Sequence, residues 1–158
     1  MKIAIAADHQ GIKLKEALRV FLLSLSHEVS DLGPEGEQSV DYTDYGFPVA
    51  EGVASGKWER GILICKTGIG MSIVANKVPG VRAALCMDEE IAKLSREHND
   101  SNVLVLAAMR TDAEKAKRIL KVWLEAGFLG ERHGRRIGKI KSYERERSCA
   151  NNKQDGQS

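Results

Sequence analysis

Apolar residues follow two rhythms along this chain. Short unbroken apolar runs alternate with stretches where apolar positions recur every three or four residues; the first suits a strand buried on both faces, the second a helix with one buried stripe. Residues 2–7 form the first run, and Ile12, Leu14, Ala17, Leu18, Phe21, Leu22 and Leu25 mark a helix over 11–25. The pattern then predicts a strand at 28–32, a break at Gly33-Pro34-Glu35-Gly36, and a helix within 42–55 whose start Pro48 blurs. A strand at 62–65, a short helix at 71–77, a strand at 82–85 and a helix at 88–97 follow. The series closes with a strand at 103–107, a helix capped by Thr111-Asp112 and running to about 126, and a charged helix at 134–147.

Strands separated by helices need crossover connections. That predicts a doubly wound, Rossmann-like α/β fold, a five-stranded parallel sheet with helices on both faces. Ligands bind such sheets beyond the carboxyl ends of the strands, so the turns at Asp8-His9, Cys65–Gly68 and Met87-Asp88 are expected to converge there. Residues 1–147 are expected to form one domain. The polar segment 148–158 has too few apolar groups to pack and reads as a disordered tail, with Cys149 an exposed thiol.

Composition narrows the function. At 158 residues the chain is long enough for one substantial core without a metal or disulfides. Lys and Arg number 24 against 22 Asp and Glu, a net charge of +2 that leaves the molecule as a whole little reason to seek nucleic acid. Seven Lys or Arg residues do crowd the sixteen positions 132–147, but Tyr143 is the only aromatic among them, a poor stacking platform for single strands. No segment approaches the ~20 apolar residues of a membrane span, and the opening run meets Asp8 and His9 too soon for a signal peptide. Cys65, Cys86 and Cys149 make no disulfide ladder and no paired CxxC, and the four histidines have no metalloprotease spacing. A soluble protein of the reducing cytoplasm, without membrane partner, metal or cofactor, is expected.

The candidate chemistry lies in Gly61-Ile-Leu-Ile-Cys-Lys-Thr-Gly-Ile-Gly-Met-Ser72, where an apolar strand runs into a cysteine and a glycine-rich turn before a helix. Gly68 and Gly70 permit backbone angles that turn amide N–H groups inward, toward a phosphate or a developing oxyanion. Loop amides and a helix start favour a thiolate, which makes Cys65 a candidate base or nucleophile; a buried structural cysteine is the plainer alternative. The spacing matches neither the dinucleotide nor the nucleoside-triphosphate glycine signature.

Five ordered pieces raise the specificity: Asp8-His9-Gln-Gly11; Asp41-Tyr42; Ile64 to Ile73 with Ala75-Asn-Lys77; Ser95-Arg-Glu-His-Asn-Asp100 with Asn102; and Arg132-His-Gly-Arg-Arg136. Over residues 1–147 the chain resembles the ribose-5-phosphate isomerase B family, which includes allose-6-phosphate and galactose-6-phosphate isomerases. The resemblance implies a metal-independent aldose–ketose isomerase that moves a proton between C1 and C2 of ribose 5-phosphate and ribulose 5-phosphate through an enediolate, in the non-oxidative pentose phosphate pathway. It implies Cys65 as the carbon base, assisted by Thr67, and His98 as the acid/base that opens the sugar ring. Asp8 shuttles protons or orients substrate, and the backbone of Gly68, Ile69, Gly70, Met71 and Ser72 holds the enediolate oxygen. Asn99 and Tyr42 bind sugar hydroxyls, and Arg132, Arg136 and His9 hold the phosphate. The resemblance also implies a homodimer, or a dimer of dimers, with active sites shared between subunits. Two alternatives stand beside this reading, the same chemistry on a six-carbon sugar phosphate and a non-catalytic sugar-phosphate sensor.

The chain departs from the family pattern at two places. Lys66, counted with the substrate-binding residues, replaces the usual glycine between cysteine and threonine; it is strained if that position needs a positive φ, and otherwise its ammonium helps hold Cys65 as thiolate. Met109 stands where many relatives carry arginine, with Arg110 one position later, outside the expected phosphate site.

Overall fold

A computed structural model describes residues 1–36 and 38–155, with 150–155 as backbone alone. Its strands are β1 (Lys2–Ala7), β2 (Glu28–Asp31), β3 (Arg60–Cys65), β4 (Ala83–Leu85) and β5 (Val103–Ala107). The helices are α1 (Ile12–Ser24), α2 (Tyr42–Ala54), α3 (Ile69–Ala75), α4 (Glu89–Asn99), α5 (Ala113–Glu125) and α6 (Glu131–Asp155). Every strand pairing is parallel and the sheet order is β2-β1-β3-β5-β4. The expected doubly wound five-stranded α/β fold is therefore the one observed.

Period-two alternation sorts the strands' side chains between two cores. Ile3, Ile5, Ile62, Ile64, Leu104 and Leu106 face α1, α4 and α5, where Leu18, Ile119 and Trp123 complete the packing. Ala4, Ala6, Leu63, Cys65, Val103 and Val105 face α2 and α3, against Val49, Val53, Met71 and Ala75. Each fully buried isoleucine contributes about 2 kcal/mol relative to exposure. Cys65 thus points to the α2–α3 side, with 4% of its surface exposed.

Several boundaries differ from the sequence reading. Strand β3 begins at Arg60 rather than Ile62, because the Gly61 N–H donates to the Asn102 carbonyl and extends the ladder. Helix α3 starts at Ile69 and not Met71, behind Gly68 at φ 75, a left-handed residue that swings the chain into the helix. Pro48 lies inside α2, which starts at Tyr42. Helix α6 runs from Glu131 to Asp155, past the expected end at 147; the remainder of the expected tail, 156–158, lies outside the described residues. Among the described residues no helix is long and apolar enough to cross a membrane.

Candidate active site

The strand order reverses between β1 and β3, since the chain leaves β1 toward β2 on one side and later builds β5 and β4 on the other. That is the crevice in which doubly wound sheets hold ligands, and Asp8 and Cys65 stand at its two sides. Two contacts stitch the turns together. The Asp8 N–H donates to the Ile64 carbonyl at 2.9 Å, and Asp8 Oδ2 accepts the Lys66 N–H at 3.3 Å. Asp8 Oδ1 accepts the N–H groups of Gln10 (2.9 Å) and Gly11 (3.0 Å), an Asx turn that starts α1. The turn and the cross-strand contact use different oxygens. Gly11 is small of necessity: a Cβ there would lie 2.8 Å from Ile64 Cγ2.

The Cys65 turn closes on its own sulfur. Gly68 donates its N–H to Cys65 Sγ at 3.1 Å, and Thr67 Oγ1 accepts the Ile69 N–H at 3.3 Å. A Cβ on Gly68 would collide with Leu85 Cδ1, and its φ of +75 excludes most other residues as well. The Ser72 N–H is taken by the Gly68 carbonyl in the first helical bond. The cradle expected over 68–72 therefore narrows to the amides of Gly70 and Met71, which the start of a helix leaves without intrahelical acceptors. The Met71 side chain is fully buried in the α2-side core, leaving only its backbone for a ligand. Over the turn lies Tyr42: a Cβ at Gly70 would stand 2.8 Å from Tyr42 Cζ. His9 is tied to the loop before α2, its Nδ1 accepting the Val40 N–H at 3.3 Å.

The strain foreseen for Lys66 is absent. Lys66 is not among the residues with positive φ, which outside glycine are Ser26, Asp100 and Glu131, so lysine is unstrained there. Its backbone is pinned on both sides, the N–H on Asp8 and the carbonyl accepting the Met109 N–H at 3.0 Å, while its side chain is exposed at the crevice. Arg110 is exposed in the same turn after β5. The third expected turn does not join them: Asp88 caps α4 by accepting the Ile91 N–H at 2.8 Å, and β4 is separated from β3 by β5.

A second group gathers elsewhere. His98 and Asn99 end α4, and His133 of α6 stacks on His98 with ring centroids 4.2 Å apart and planes 4° from parallel. Arg132 and Arg136 flank His133, four residues apart on exposed positions of α6 and so on one face. Burial pushes the His133 imidazole below its ordinary pKa, with His98, Arg132 and Arg136 adding to the shift. Asn99 also borders a cavity of about 320 Å³ between α4, β4 and α6, walled by Val81, Ile137 and Ile140.

These two groups do not meet within one chain. Asn102 enters β5 beside Gly61, whereas Cys65 pairs with Ala107 at the other end of the same strands. Four residues of strand separate those ends by roughly 13 Å. Asp8, His9, Tyr42 and Cys65 to Ser72 make one group; His98, Asn99, Arg132 and Arg136 make another. His133 went without a role in the sequence reading, because a stack between α4 and α6 has no signature in local spacing.

Cys86 is not a second reactive thiol. It is fully buried beside Ser95, and burial pushes its pKa from 9.0 up to about 11. Above pH 9 the unfolded chain releases this proton while the native chain keeps it, so stability falls as pH rises toward 11. The loss amounts to about 3 kcal/mol. Urea unfolding between pH 8 and about 10.5 should show this slope in the wild type and a smaller one in Cys86→Ala. Among the described residues no group of three or more His, Cys, Asp or Glu could hold a metal ion.

Comparison with known proteins places this arrangement among isomerases. A family model described as Ribose/Galactose Isomerase matches residues 3–140. Ribose-5-phosphate isomerase B of Escherichia coli is 42% identical over 147 residues, 93% of this chain and 99% of that protein. Among solved structures, Clostridium thermocellum ribose-5-phosphate isomerase B superposes with a TM-score of 0.90 at 49% identity, covering 92% of this chain and 99% of that one. The Mycoplasma genitalium enzyme of the same name, solved with bound ribulose-5-phosphate, gives 0.89 at 42%, covering 92% and 97%.

Proposed function

The chain belongs to the ribose/galactose isomerase family, and on that footing we propose that it interconverts D-ribose 5-phosphate and D-ribulose 5-phosphate, with Cys65 as the carbon base and His98 as the ring-opening acid/base. The observation that carries this assignment is the Cys65 sulfur at the switch-point crevice, accepting the Gly68 N–H, with the Asp8 carboxylate tied to the next peptide.

His98 moves a proton between the ring oxygen and the anomeric hydroxyl, which frees the C1 aldehyde. Cys65 then removes the proton on C2; the bonding pair becomes the C1–C2 double bond and the C1 oxygen takes the charge, facing the amides of Gly70 and Met71. Returning the proton to C1, while the O2 proton passes to O1 and O2 becomes the carbonyl, yields the ketose. Asp8 and Thr67 stand beside the sulfur to relay the oxygen-bound protons. Lys66 adds a cation at the mouth, while Tyr42 and Asn99 bind hydroxyls.

Arg132 and Arg136 hold the phosphate, together with His9. The working unit is a homodimer in which the Cys65 half-site of one subunit faces the His98 half-site of the other. Separation of the halves within one chain supports this, as do Ile69 and Ile73, 57% and 54% exposed on α3 beside the Cys65 turn. The three unpaired cysteines suit a reducing cytoplasm. The backbone at Lys66 is unstrained, which favours a competent Cys65 turn over a non-catalytic one.

A coupled assay offered ribose 5-phosphate, allose 6-phosphate and galactose 6-phosphate, with Arg136→Ala alongside, tests the assignment. The pentose phosphate should be preferred, and Arg136→Ala should raise its KM about tenfold to a hundredfold with a smaller change in kcat. Preference for a hexose phosphate would overturn the substrate, and an unchanged KM would remove Arg136 from the phosphate clamp.

A further inference from the structure

His98 and Asn99 are the last residues of α4, so the turn that follows them sets where their side chains point. Asp100 makes that turn at φ 46, ψ 45, in the left-handed region that few residues besides glycine, asparagine and aspartate adopt. Two guanidinium groups hold it there. Arg82 Nη2 and Arg96 Nη1 donate to the two carboxylate oxygens of Asp100, each at 2.8 Å. Arg82 Nε also donates to the carbonyls of Asn99 (3.0 Å) and Asp100 (2.9 Å), and its Nη1 to the Gly80 carbonyl at 3.4 Å. Arg96, with 5% of its surface exposed, donates to the Ser101 carbonyl.

The fork is itself anchored. The Arg82 N–H donates to Asn102 Oδ1 at 2.7 Å, and Asn102 Nδ2 reaches the Gly80 carbonyl at 2.9 Å. Below the turn, Ser101 Oγ accepts the Trp123 Nε1–H at 2.8 Å and pairs with Ser95 Oγ at 2.9 Å. A helix end does not need such an array: α1 stops at Leu25 on backbone hydrogen bonds and one local side-chain bond, from Ser24 Oγ to the Phe21 carbonyl. A guanidinium is a rigid planar fork, so its acceptors on Asn99, Asp100 and Gly80 define the turn in all three dimensions.

We propose that Arg82, acting through Asp100, is the positioning residue of the ring-opening half-site: its fork locks the turn after α4 so that His98 and Asn99 meet a sugar presented by a second copy of the chain. This rests on the assignment of ring opening to His98 above. Arg82 touches no reacting atom, and its effect runs through the placement of its neighbours.

Two readouts test it on the full-length protein. Ribose 5-phosphate is a furanose that must be opened, whereas ribulose 5-phosphate, its C5 oxygen esterified, is acyclic. Exchange of the C1 proton of saturating ribulose 5-phosphate with deuterated water therefore reports the carbon step alone. In Arg82→Lys and Asp100→Asn, turnover of ribose 5-phosphate should fall about a hundredfold, as expected for a misplaced catalytic group, while exchange stays close to wild type. His98→Ala should show the same division.

If His98→Ala divides the readouts and the other two variants do not, the positioning role is overturned and the role of His98 stands. If His98→Ala leaves both readouts intact or lowers them together, ring opening leaves His98 and the proposal falls with it. Equal loss of both readouts in Arg82→Lys and Asp100→Asn would mean a merely structural clamp. Should Arg82→Lys fail to fold, Asp100→Asn carries the test, because asparagine tolerates the left-handed conformation.

Discussion

Replacing Cys65 with serine should lower kcat for ribose 5-phosphate by at least about a thousandfold, the upper part of what a positioned general base contributes. Serine is the informative substitution. It keeps an acceptor for the Gly68 N–H, now 3.1 Å from the sulfur, and fits a position with 4% exposure, so turn and core survive. What it removes is the acidity of a thiol, since a hydroxyl without an activating base does not supply an anion at neutral pH. Cys65→Ala goes further by leaving the buried Gly68 N–H without a partner, at a stability cost of about 1–3 kcal/mol. Equal loss of turnover in the two variants, with only the alanine form destabilised in urea, would assign the loss to chemistry. Cys86→Ala is the matching control, because its thiol lies in the opposite core, and it should retain turnover. Serine retaining more than about a tenth of wild-type kcat would remove Cys65 as the base.

Two inactive proteins should make an active one. Cys65→Ala lacks the first half-site and His98→Ala the second, and each homodimer carries the same defect in both of its sites. In a symmetric dimer with shared sites, a heterodimer pairs the intact Cys65 of one chain with the intact His98 of the other, and its remaining site carries both lesions. Random reassortment gives heterodimers as half of all dimers, each with one working site, so about a quarter of wild-type activity should return after denaturation and joint refolding. A site complete within one chain predicts no recovery. The geometry behind this expectation is the pairing of Cys65 with Ala107 at one end of β5, while the Asn102 carbonyl accepts the Gly61 N–H at the other.

Much of the molecule was legible before its structure. The apolar runs within 2–7, 62–65 and 103–107 suited strands covered on both faces, and these are the sheet's three inner strands, β1, β3 and β5. The edge strands were read less well. β4 contracted to Ala83–Leu85 because the Arg82 N–H binds Asn102 Oδ1 instead of joining the ladder. The charged end of the chain gave little purchase on its boundaries, since a helix polar on most faces has no apolar period to mark where it stops; α6 runs on to Asp155. Of the site residues, Asp8 and the Cys65 turn could be placed from strand ends alone. The stack of His133 on His98 and the bonds between Arg82 and Asp100 could not, as each joins separate elements.

Local chemistry explains that division. Hydrophobic period, glycine at Gly68 and a cysteine after an apolar strand are properties of neighbours along the chain, and they sufficed to determine the α/β class, the crevice and the candidate base. Where the two half-sites lie, which loop amides stay free, that Lys66 is unstrained and that Asp100 is held left-handed by two arginines depended on contacts between residues distant in sequence. Those contacts exist only after β5 has docked beside β3 and carried the end of α4 to the far edge of the sheet, so the tertiary structure alone decided them.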